Sequence, residues 1–314
     1  MSGFLAGTGL YIFNFRKMKF AGFASRIIIF LLLFSGLDFA ASKFMLKGLN
    51  KFYGFDKKPE ILINGSSMSL SGFHKTAIES QVNQKVAIYA KEGVGIEDRY
   101  AMLQQFFLDH QGSVKTVIYE VNPLLFSDKL TAANVYTIFY PYMDNKAIDE
   151  YIHNRAGSLE YYAHKYCRAS RFDVLTINFA LKGYMNNYDN LKTNAINPET
   201  AYFSKEEHGK KMVDFNKEKM AVFEKTMKLL QDNNTKVVMV MMPIYYQKRA
   251  TFDSASFSQL DLFYKGYAES NRNMYYLDLN TNDLTHNASI FSDVLHLNRE
   301  GQKKVTESVV NFLK

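Results

Sequence analysis

The sequence at positions 61–67 reads ILINGSS, and this stretch decides how the fold of the whole chain is interpreted. Ile61, Leu62 and Ile63 form an uninterrupted aliphatic run, which is typical of a strand buried on both faces of a parallel sheet. Gly65 permits a sharp turn at the end of such a strand, and two serines follow it. The stretch predicts either an ordinary strand-to-helix turn or a nucleophilic serine at the edge of a sheet.

Four further apolar runs have the same character and alternate with longer amphipathic segments. This alternation predicts an α/β fold, specifically a three-layer α/β/α sandwich with a mostly parallel five-stranded sheet. A helix that begins within SKEE is expected before the fourth strand, because this pattern suggests a capped helix start. The predicted strands cover residues 60–64, 85–90, 115–121, 236–244 and 274–279.

A segment at about 127–203 interrupts the alternation, because it is rich in Tyr, Phe and Asn and has no strand pattern. We predict a helical insertion of several short helices after the third strand. Such an insertion would lie over the carboxyl ends of the strands, where open α/β sheets bind ligands. It would serve as a lid or substrate platform, or its aromatic residues would simply pack a helical subdomain.

The N-terminal region contains an apolar run from Ile27 to Phe34 that continues through Leu37. About 20 apolar residues cross the hydrocarbon core of a bilayer, so residues 20–46 are predicted to form a transmembrane anchor. A cleaved signal peptide is the alternative, although the run is followed by amphipathic sequence without a clean cleavage site.

Basic residues precede this anchor, which predicts that residues 1–19 lie in the cytoplasm and the rest of the chain outside. Met18 is an alternative start, in which case residues 1–17 would be an extension. The polar segment at 47–59, broken by Gly and Pro, is interpreted as a linker to a domain at 60–314. The chain is thus predicted to be a single-pass membrane protein with a periplasmic or extracellular domain.

Composition excludes several classes of site. The formal net charge of +7 is scattered along the chain, and nothing in the sequence resembles a nucleic-acid-binding module. The single cysteine, Cys167, excludes a disulfide within the chain and the metal sites that need paired cysteines. The histidines lack the mutual spacing of metal ligands. We therefore expect no metal, no cofactor and no nucleic-acid partner.

A second motif, FSDVLHLN at 291–298, places Asp293 three residues before His296. On a loop before a helix, this spacing lets the carboxylate bind one ring nitrogen while the other nitrogen faces a serine. Asp283 and His286 have the same spacing. We prefer the first pair, because the predicted helix that starts just after it would anchor that loop.

Gly-Ser-Ser after the first strand, combined with Asp-x-x-His before the last helix, resembles the SGNH (GDSL-like) hydrolase family. The resemblance covers roughly residues 60–314 and implies a small α/β/α sandwich. It implies that Ser67 is the nucleophile, His296 the general base and Asp293 the residue that orients it. Ser66 takes the place of the usual Asp of the first block.

The same resemblance implies an oxyanion hole that contains the Ser67 backbone N–H, a glycine of a second block and an asparagine of a third. Gly93 and Gly95 both follow the second strand, and we favour Gly93. Asn122 follows the third strand. The third block departs from the family pattern, because Glu120 stands where the glycine is expected and a proline follows Asn122.

The segment PIYYQKR at 243–249 follows the fourth strand and is expected at the same edge of the sheet. Lys248 and Arg249 are predicted to hold an anionic or sugar substrate, and Tyr245 or Tyr246 to stack on it. A solvated loop is the alternative.

Membrane-tethered proteins of SGNH type resemble those that add or remove acyl groups on cell-envelope polymers, often beside a multi-spanning membrane acyltransferase of the MBOAT class. The resemblance therefore implies a membrane-anchored esterase or O-acyltransferase, with acetyl as one expected acyl group, that acts on an envelope or exported polysaccharide. The alternatives are a non-catalytic scaffold subunit of an envelope complex and an esterase for soluble lipids.

Overall fold

The short apolar runs form the strands in the computed structural model. These strands are β1 (Ile61–Gly65), β2 (Val86–Ala90), β3 (Thr116–Val121), β4 (Lys236–Met241) and β5 (Met274–Asp278). They form one sheet in the order β2-β1-β3-β4-β5, and every neighbouring pair is parallel. The predicted α/β fold with a five-stranded parallel sheet is confirmed. The fourth strand ends at Met241, three residues before its predicted end.

The structure describes the backbone of residues 8–127, 134–190, 192–199 and 210–314, and the side chains from residue 22 onward. Helices follow the strands within these ranges. They are α1 (Thr8–Tyr53), α2 (Ser67–Gly72), α3 (Lys75–Val82), α4 (Ile96–Asp109), α5 (Lys146–His153), α6 (Ser158–Tyr166), α7 (Val174–Tyr184), α8 (Lys217–Asp232), α9 (Tyr246–Arg249), α10 (Ser254–Ser270), α11 (Asn282–Thr285) and α12 (Arg299–Leu313), with 3-10 helices at Val135–Tyr142, Ala169–Arg171 and Ala288–Ile290.

The strand order places the helices on both faces of the sheet. Helices α2 and α3 lead from β1 to its neighbour on one side, whereas α4 leads from β2 past β1 to β3. Because such crossovers are right-handed, these two connections lie on opposite faces. Helix α12 packs on α2 and α3, and α8 packs on α4. The direction in which successive strands are added to the sheet therefore reverses between β1 and β3. Ligands bind beside such a switch point in open α/β sheets.

Every residue of β1, β2 and β3 is buried, which explains their near-continuous apolar sequences. Two polar side chains interrupt these apolar sequences, and both lie near the carboxyl ends of their strands. Asn64 and Glu120 are both fully buried. The edge strand β5 is only partly covered beyond Met274.

Helix α1 is continuous from the apolar segment into the domain. Within it, Gly22–Tyr53 is long and apolar enough to cross a membrane by length and composition. Beyond the apolar run, Leu49 and Tyr53 are buried in the core of the domain. The Lys75 ammonium donates hydrogen bonds to the last carbonyl groups of the helix, at Lys51 (3.0 Å) and Phe52 (3.4 Å).

The predicted linker at 47–59 is therefore wrong over its first half, because residues 47–53 form the last two turns of α1. These turns pack on α7 through glycines. A Cβ at Gly48 would lie 2.5 Å from the Ala180 carbonyl oxygen, and a Cβ at Gly183 would collide with the Gly48 carbonyl group. The polar and glycine-rich composition reflects a close helix contact rather than a flexible connection.

The predicted insertion at 127–203 is helical where the structure describes it, and residues 128–133, 191 and 200–203 lie outside the described part. Its 3-10 helix Val135–Tyr142 contacts the carboxyl end of β2, where Nζ of Lys91 donates to the Ile138 carbonyl at 3.0 Å. Helix α7 packs along α1, α5 packs on α4, and α6 packs on α5 and the 3-10 helix at Ala169–Arg171. Many aromatic residues of the insertion serve packing, and Phe179 stacks on Phe52 of α1 at 4.6 Å between ring centroids.

The helix predicted to begin at SKEE starts later. Residues 204–207 lie outside the described residues, but the segment 210–216 is described and is not helical. Helix α8 begins at Lys217, where the Asn216 side chain accepts the N–H groups of Glu218 and Lys219. An Asn cap of this kind satisfies the free donors of a first turn.

Candidate active site

The serine motif lies at the junction between β1 and α2. Ser66 caps α2, since its hydroxyl accepts the N–H of Met68, and Ser67 is the first residue of the helix. The Ser67 hydroxyl oxygen lies 2.8 Å from Nε2 of His296. Gly65 is required for this turn because a Cβ there would collide with the Ser69 side chain and come within 2.5 Å of a Glu120 carboxylate oxygen.

The Asp293–His296 loop closes on the serine from the other end of the chain. Nδ1 of His296 lies 2.9 Å from both carboxylate oxygens of Asp293. Oδ1 of Asp293 also accepts the backbone N–H groups of Leu295 (3.0 Å) and His296 (2.9 Å). Burial alone would raise the pKa of the Asp293 carboxyl, but the hydrogen bonds from the His296 ring and from Leu295 outweigh it and hold that pKa well below its usual range.

Helix α12 anchors this loop, as expected. The Asn298 side chain accepts the N–H groups of Glu300 and Gly301 and donates to the Ser289 carbonyl at 2.7 Å. The alternative pair lies elsewhere. His286 stacks on the Tyr246 ring at 4.8 Å, and its Nδ1 contacts a main-chain carbonyl rather than Asp283.

The insertion contributes to the loop through its last described residues. Nδ2 of Asn190 donates to the carbonyls of Ser71 (3.1 Å) and Leu297 (2.8 Å). The N–H of Ile196 donates to the Phe291 carbonyl at 2.8 Å. Nζ of Lys192 lies 3.5 Å from Asp293. This segment braces the turn that carries His296, a role that the sequence pattern did not indicate.

Glu120 is a site residue that the sequence interpretation noted only as a departure from the family pattern. Its buried carboxylate accepts the N–H and hydroxyl of Ser66 (2.8 Å each) and those of Ser69 (3.0 and 2.6 Å). It also accepts a hydrogen bond from Nδ2 of Asn122 at 3.0 Å. Five donors therefore converge on one carboxylate, which ties the serine turn to the end of β3.

A buried arginine balances the charge of this carboxylate. Burial alone would raise the pKa of Glu120, but the nearby positive charge of Arg99 and the hydrogen bonds from Ser69 and Ser66 lower it below its usual range. The Arg99 guanidinium donates to the Asn64 carbonyl (3.1 Å) and the Glu120 carbonyl (2.8 Å), and it lies 3.9 Å above the Tyr119 ring. A buried ionised carboxylate requires such compensation.

One cavity is lined by the predicted nucleophile, the predicted base and the predicted oxyanion residues. Its volume is about 170 Å³, and most of its wall is apolar. The structure thus brings Ser67, His296, Gly93 and Asn122 to a common space. The lining residues are Ser66, Ser67, Met68, Gly93, Val94, Asn122, Pro123, Leu124, Ile244, Phe252, Leu295 and His296.

The two predicted oxyanion residues are held by local geometry. Gly93 has φ of 71°, a left-handed conformation that favours glycine. Oδ1 of Asn122 accepts the N–H of Leu124 at 2.9 Å, and its amide nitrogen donates to Glu120. An amide has two N–H donors, so one N–H of Asn122 remains beyond these bonds. Gly95, the alternative to Gly93, is the cap of α4, and its N–H donates to Asp98.

The predicted substrate-binding residues do not reach this cavity. Tyr245 is 2% exposed and packs against Tyr246 and Phe291. The Arg249 guanidinium lies 3.3 Å above the Phe257 ring, and burial lowers its pKa. Lys248 lies beside it on α9 and does not line the cavity either. None of these three residues lines the cavity beside Ser67.

Among the described residues, no group of three or more His, Cys, Asp or Glu side chains could hold a metal ion.

No protein-family model matches this sequence. No curated protein matches it either. Solved structures with distant similarity include a proposed acylhydrolase from Bacteroides fragilis, at 10% identity and a TM-score of 0.39 over 81% of this chain and 86% of that chain. A GDSL-like lipase from Bacteroides thetaiotaomicron is 9% identical, with a TM-score of 0.39 over 82% and 91% of the two chains. At these scores the assignment of the site depends on its geometry alone.

Proposed function

We propose that the protein is a membrane-anchored serine esterase or O-acyltransferase that acts on acyl esters of a cell-envelope or exported polysaccharide. The observation that carries the proposed chemistry is the hydrogen-bond chain from Ser67 to His296 (2.8 Å) and on to Asp293 (2.9 Å). A hydroxyl becomes a useful nucleophile when a base lies within hydrogen-bond reach and a third group orients that base.

In the proposed reaction, the Ser67 hydroxyl oxygen attacks the ester carbonyl carbon while Nε2 of His296 takes its proton. The negative charge that develops on the carbonyl oxygen is stabilised by the Ser67 N–H, the Gly93 N–H and the free amide N–H of Asn122. His296 then returns the proton to the departing alcohol oxygen, which leaves an acyl ester on Ser67. Asp293 holds the His296 tautomer and stabilises the imidazolium ion.

Water or a sugar hydroxyl completes the cycle. His296 removes a proton from the incoming hydroxyl, whose oxygen attacks the acyl carbon, and the proton returns to the Ser67 oxygen as the ester bond breaks. Attack by water gives hydrolysis, and attack by a sugar hydroxyl gives acyl transfer. The apolar wall formed by Met68, Ile244 and Phe252 supports a short acyl group beside Ser67 rather than a charged one.

The proposed location and acceptor have separate support. The exposed apolar residues of α1 support a membrane anchor. The polysaccharide acceptor and an MBOAT-type partner are proposed from the resemblance to membrane-tethered SGNH proteins. Lys248, Arg249 and Tyr245 do not line the cavity beside Ser67, and their contact with a substrate stays a prediction.

A fluorophosphonate probe tests the proposed nucleophile on the full chain in detergent. We expect the unaltered protein to be labelled and Ser67→Ala to be unlabelled. Ser71→Ala is the matched control, because Ser71 lies on the same helix and its hydroxyl only donates to the Met68 carbonyl. Its labelling should equal that of the unaltered protein. Absence of labelling in the folded, unaltered protein would favour a non-catalytic scaffold, and labelling that survives in Ser67→Ala would refute the assignment.

A further inference from the structure

Helix α6 carries its apolar side chains on the outside. Leu159, Tyr162, Ala163 and Tyr166 are spaced i, i+3, i+4 and i+7, so they form one stripe along the helix, and all four are exposed. Leu159 is 88% exposed and Tyr166 79% exposed. The rings of Tyr162 and Tyr166 stack with their centroids 6.2 Å apart. We call these four residues the α6 stripe.

The opposite side of α6 faces the protein and carries the buried Tyr161 together with polar side chains. Glu160 accepts the hydroxyl groups of Tyr136 (3.0 Å) and Tyr140 (2.6 Å). The His164 and Tyr140 rings stack with their centroids 4.0 Å apart. Nζ of Lys165 forms an ion pair with the Asp149 carboxylate at 2.7 Å. A surface helix of a soluble domain has the reverse arrangement. The α6 stripe is therefore suited to contact an apolar medium.

The carboxyl end of α6 is fastened to one end of the apolar run of α1. The N–H groups of Arg168 and Ala169 donate to the Asp38 carboxylate at 2.8 and 2.7 Å. Asp38 directly follows Leu37, which closes the dense part of the exposed apolar run that begins near Phe23; beyond it, the exposed apolar residues Phe39 and Phe44 alternate with polar ones. At about 1.5 Å per residue this run is roughly 22 Å long, which is most of the hydrocarbon thickness of a bilayer.

The residues around this attachment suit the headgroup region. The Phe39 ring is contacted by the Lys43 ammonium at 5.5 Å and by the Arg168 guanidinium at 5.4 Å from its centroid. Tyrosine rings are enriched where a bilayer meets water, and basic side chains there are attracted to lipid phosphates.

We propose that α6 lies in the interface of the membrane that α1 crosses, with the α6 stripe in contact with lipid. This inference rests on the membrane anchor of the proposed function. The occupant is a lipid surface because the stripe is continuous with the apolar run of α1 and joins it at the depth of Asp38. Amphipathic helices with aromatic and aliphatic residues on one face bind membranes in this way.

The experiment uses the absence of tryptophan from the chain. Leu159→Trp places one fluorophore on the stripe, and Tyr166→Trp places it one turn from Asp38. The full chain is reconstituted in phosphatidylcholine–phosphatidylglycerol vesicles that contain phospholipids brominated near the headgroup. We expect each variant to lose about half of its fluorescence. Leu262→Trp is the matched control, since this leucine is 66% exposed on α10, which packs on β5 at the sheet edge opposite β2. Its fluorescence should not change.

Leu31→Trp in α1 tests separately whether α1 crosses the membrane. This variant should be quenched most by lipids brominated deep in the acyl chain. If Leu31→Trp is quenched and neither stripe variant is, the inference is overturned, because α6 then faces water or another protein. If Leu31→Trp is also unquenched, the anchor fails and the inference fails with it. The outcome of the fluorophosphonate test is independent of both results.

Discussion

At the scale of single residues, the site depends on Glu120 as much as on its three central residues. A carboxylate that accepts five hydrogen bonds fixes the main chain on both sides of Ser67. It does so from the penultimate position of a buried strand, where a charged group is costly unless its hydrogen bonds are complete. The positions of Ser66 and Asn122 therefore depend on one ionised group.

We expect Glu120→Gln to destabilise the fold by about 1–3 kcal/mol, because an amide nitrogen must then face a donor such as the Ser66 N–H. It should also slow fluorophosphonate labelling of Ser67 in the protein that remains folded. Denaturant titration and labelling rates measure the two effects. Glu60→Gln is the control, since Glu60 forms an exposed pair with Lys115, and it should cost less than about 1 kcal/mol. Equal effects of the two variants would contradict the role of Glu120.

The Glu120→Gln deficit should also depend on pH. The pKa of Glu120 is lowered in the folded protein, so its ionisation contributes stability above the unfolded value of about 4.3. This contribution is lost as pH falls through the folded-state pKa. The stability difference between the unaltered protein and Glu120→Gln should therefore shrink below about pH 4 and remain constant near neutrality.

Asp293→Asn should lower the rate of ester turnover on the order of 10³–10⁴-fold, because the asparagine favours the wrong tautomer of His296. Turnover of a p-nitrophenyl ester by the purified full chain measures the effect. Asp283→Asn provides the comparison, since Asp283 has the same spacing to a histidine but no contact with His296. It should retain full activity, and a loss as large as that of Asp293→Asn would mean that the loop pairing is misassigned.

Two short sequence motifs predicted part of this site. Gly-Ser-Ser and Asp-x-x-His are local motifs, so their spacing is visible in one sequence. Four of the five hydrogen bonds to Glu120 come from Ser66 and Ser69, more than 50 positions away, and no local pattern records that encounter. The available signal was one charged residue, Glu120, within a largely apolar strand.

At the scale of elements, α1 and α7 approach each other closely because two glycines face each other, and stacked rings such as Phe52 and Phe179 add side-chain contacts. Gly48 and Gly183 face each other where the two helices cross, and a Cβ at Gly183 would also come within 2.7 Å of the Phe52 nitrogen. The sequence interpretation treated Gly48 as a helix breaker in a linker. Glycine at a close helix contact and glycine in a linker look alike until the partner helix is known.

We expect Gly183→Ala to destabilise the protein by about 1–3 kcal/mol, because the methyl group forces the two helices apart. Thermal unfolding of the full chain in detergent measures this change. Gly266→Ala is the matched control, because Gly266 also lies within a helix but has nothing within 4 Å of an added Cβ. That substitution should be neutral or stabilise by up to about 1 kcal/mol. Destabilisation by both variants to the same extent would refute the close contact.

At the scale of the whole molecule, the sheet order explains why distant motifs meet. Ser67 follows β1, Gly93 follows β2 and Asn122 follows β3, and these three strands are neighbours in the sheet. The alternation of strands and helices predicted the layers, whereas the order of strands required the structure. The lid or substrate platform stays a prediction, and the packing of α7 on α1 is a feature that the sequence pattern did not indicate.

The cavity that results should limit the length of the acyl group. We expect Leu124→Phe to narrow it and to lower the turnover of a longer p-nitrophenyl ester about tenfold relative to the acetate ester. The ratio of the two turnover rates measures this preference. Leu262→Phe, on the exposed face of α10, should leave the ratio unchanged. An unchanged ratio in Leu124→Phe would show that the acyl group occupies another space.

The unbroken course of α1 into the core has a consequence for where the protein can work. A flexible linker of 13 residues has a root-mean-square end-to-end distance of about 20 Å, so the domain could move that far from its attachment point. Instead, α1 continues without a break for about 24 Å from Leu37 to Tyr53, and Lys75 donates hydrogen bonds to its last carbonyl groups. If α1 crosses a membrane as proposed, this continuous helix holds Ser67 at a fixed distance from the bilayer surface. The proposed acceptor would then have to come to Ser67, because the domain could not move out to meet it.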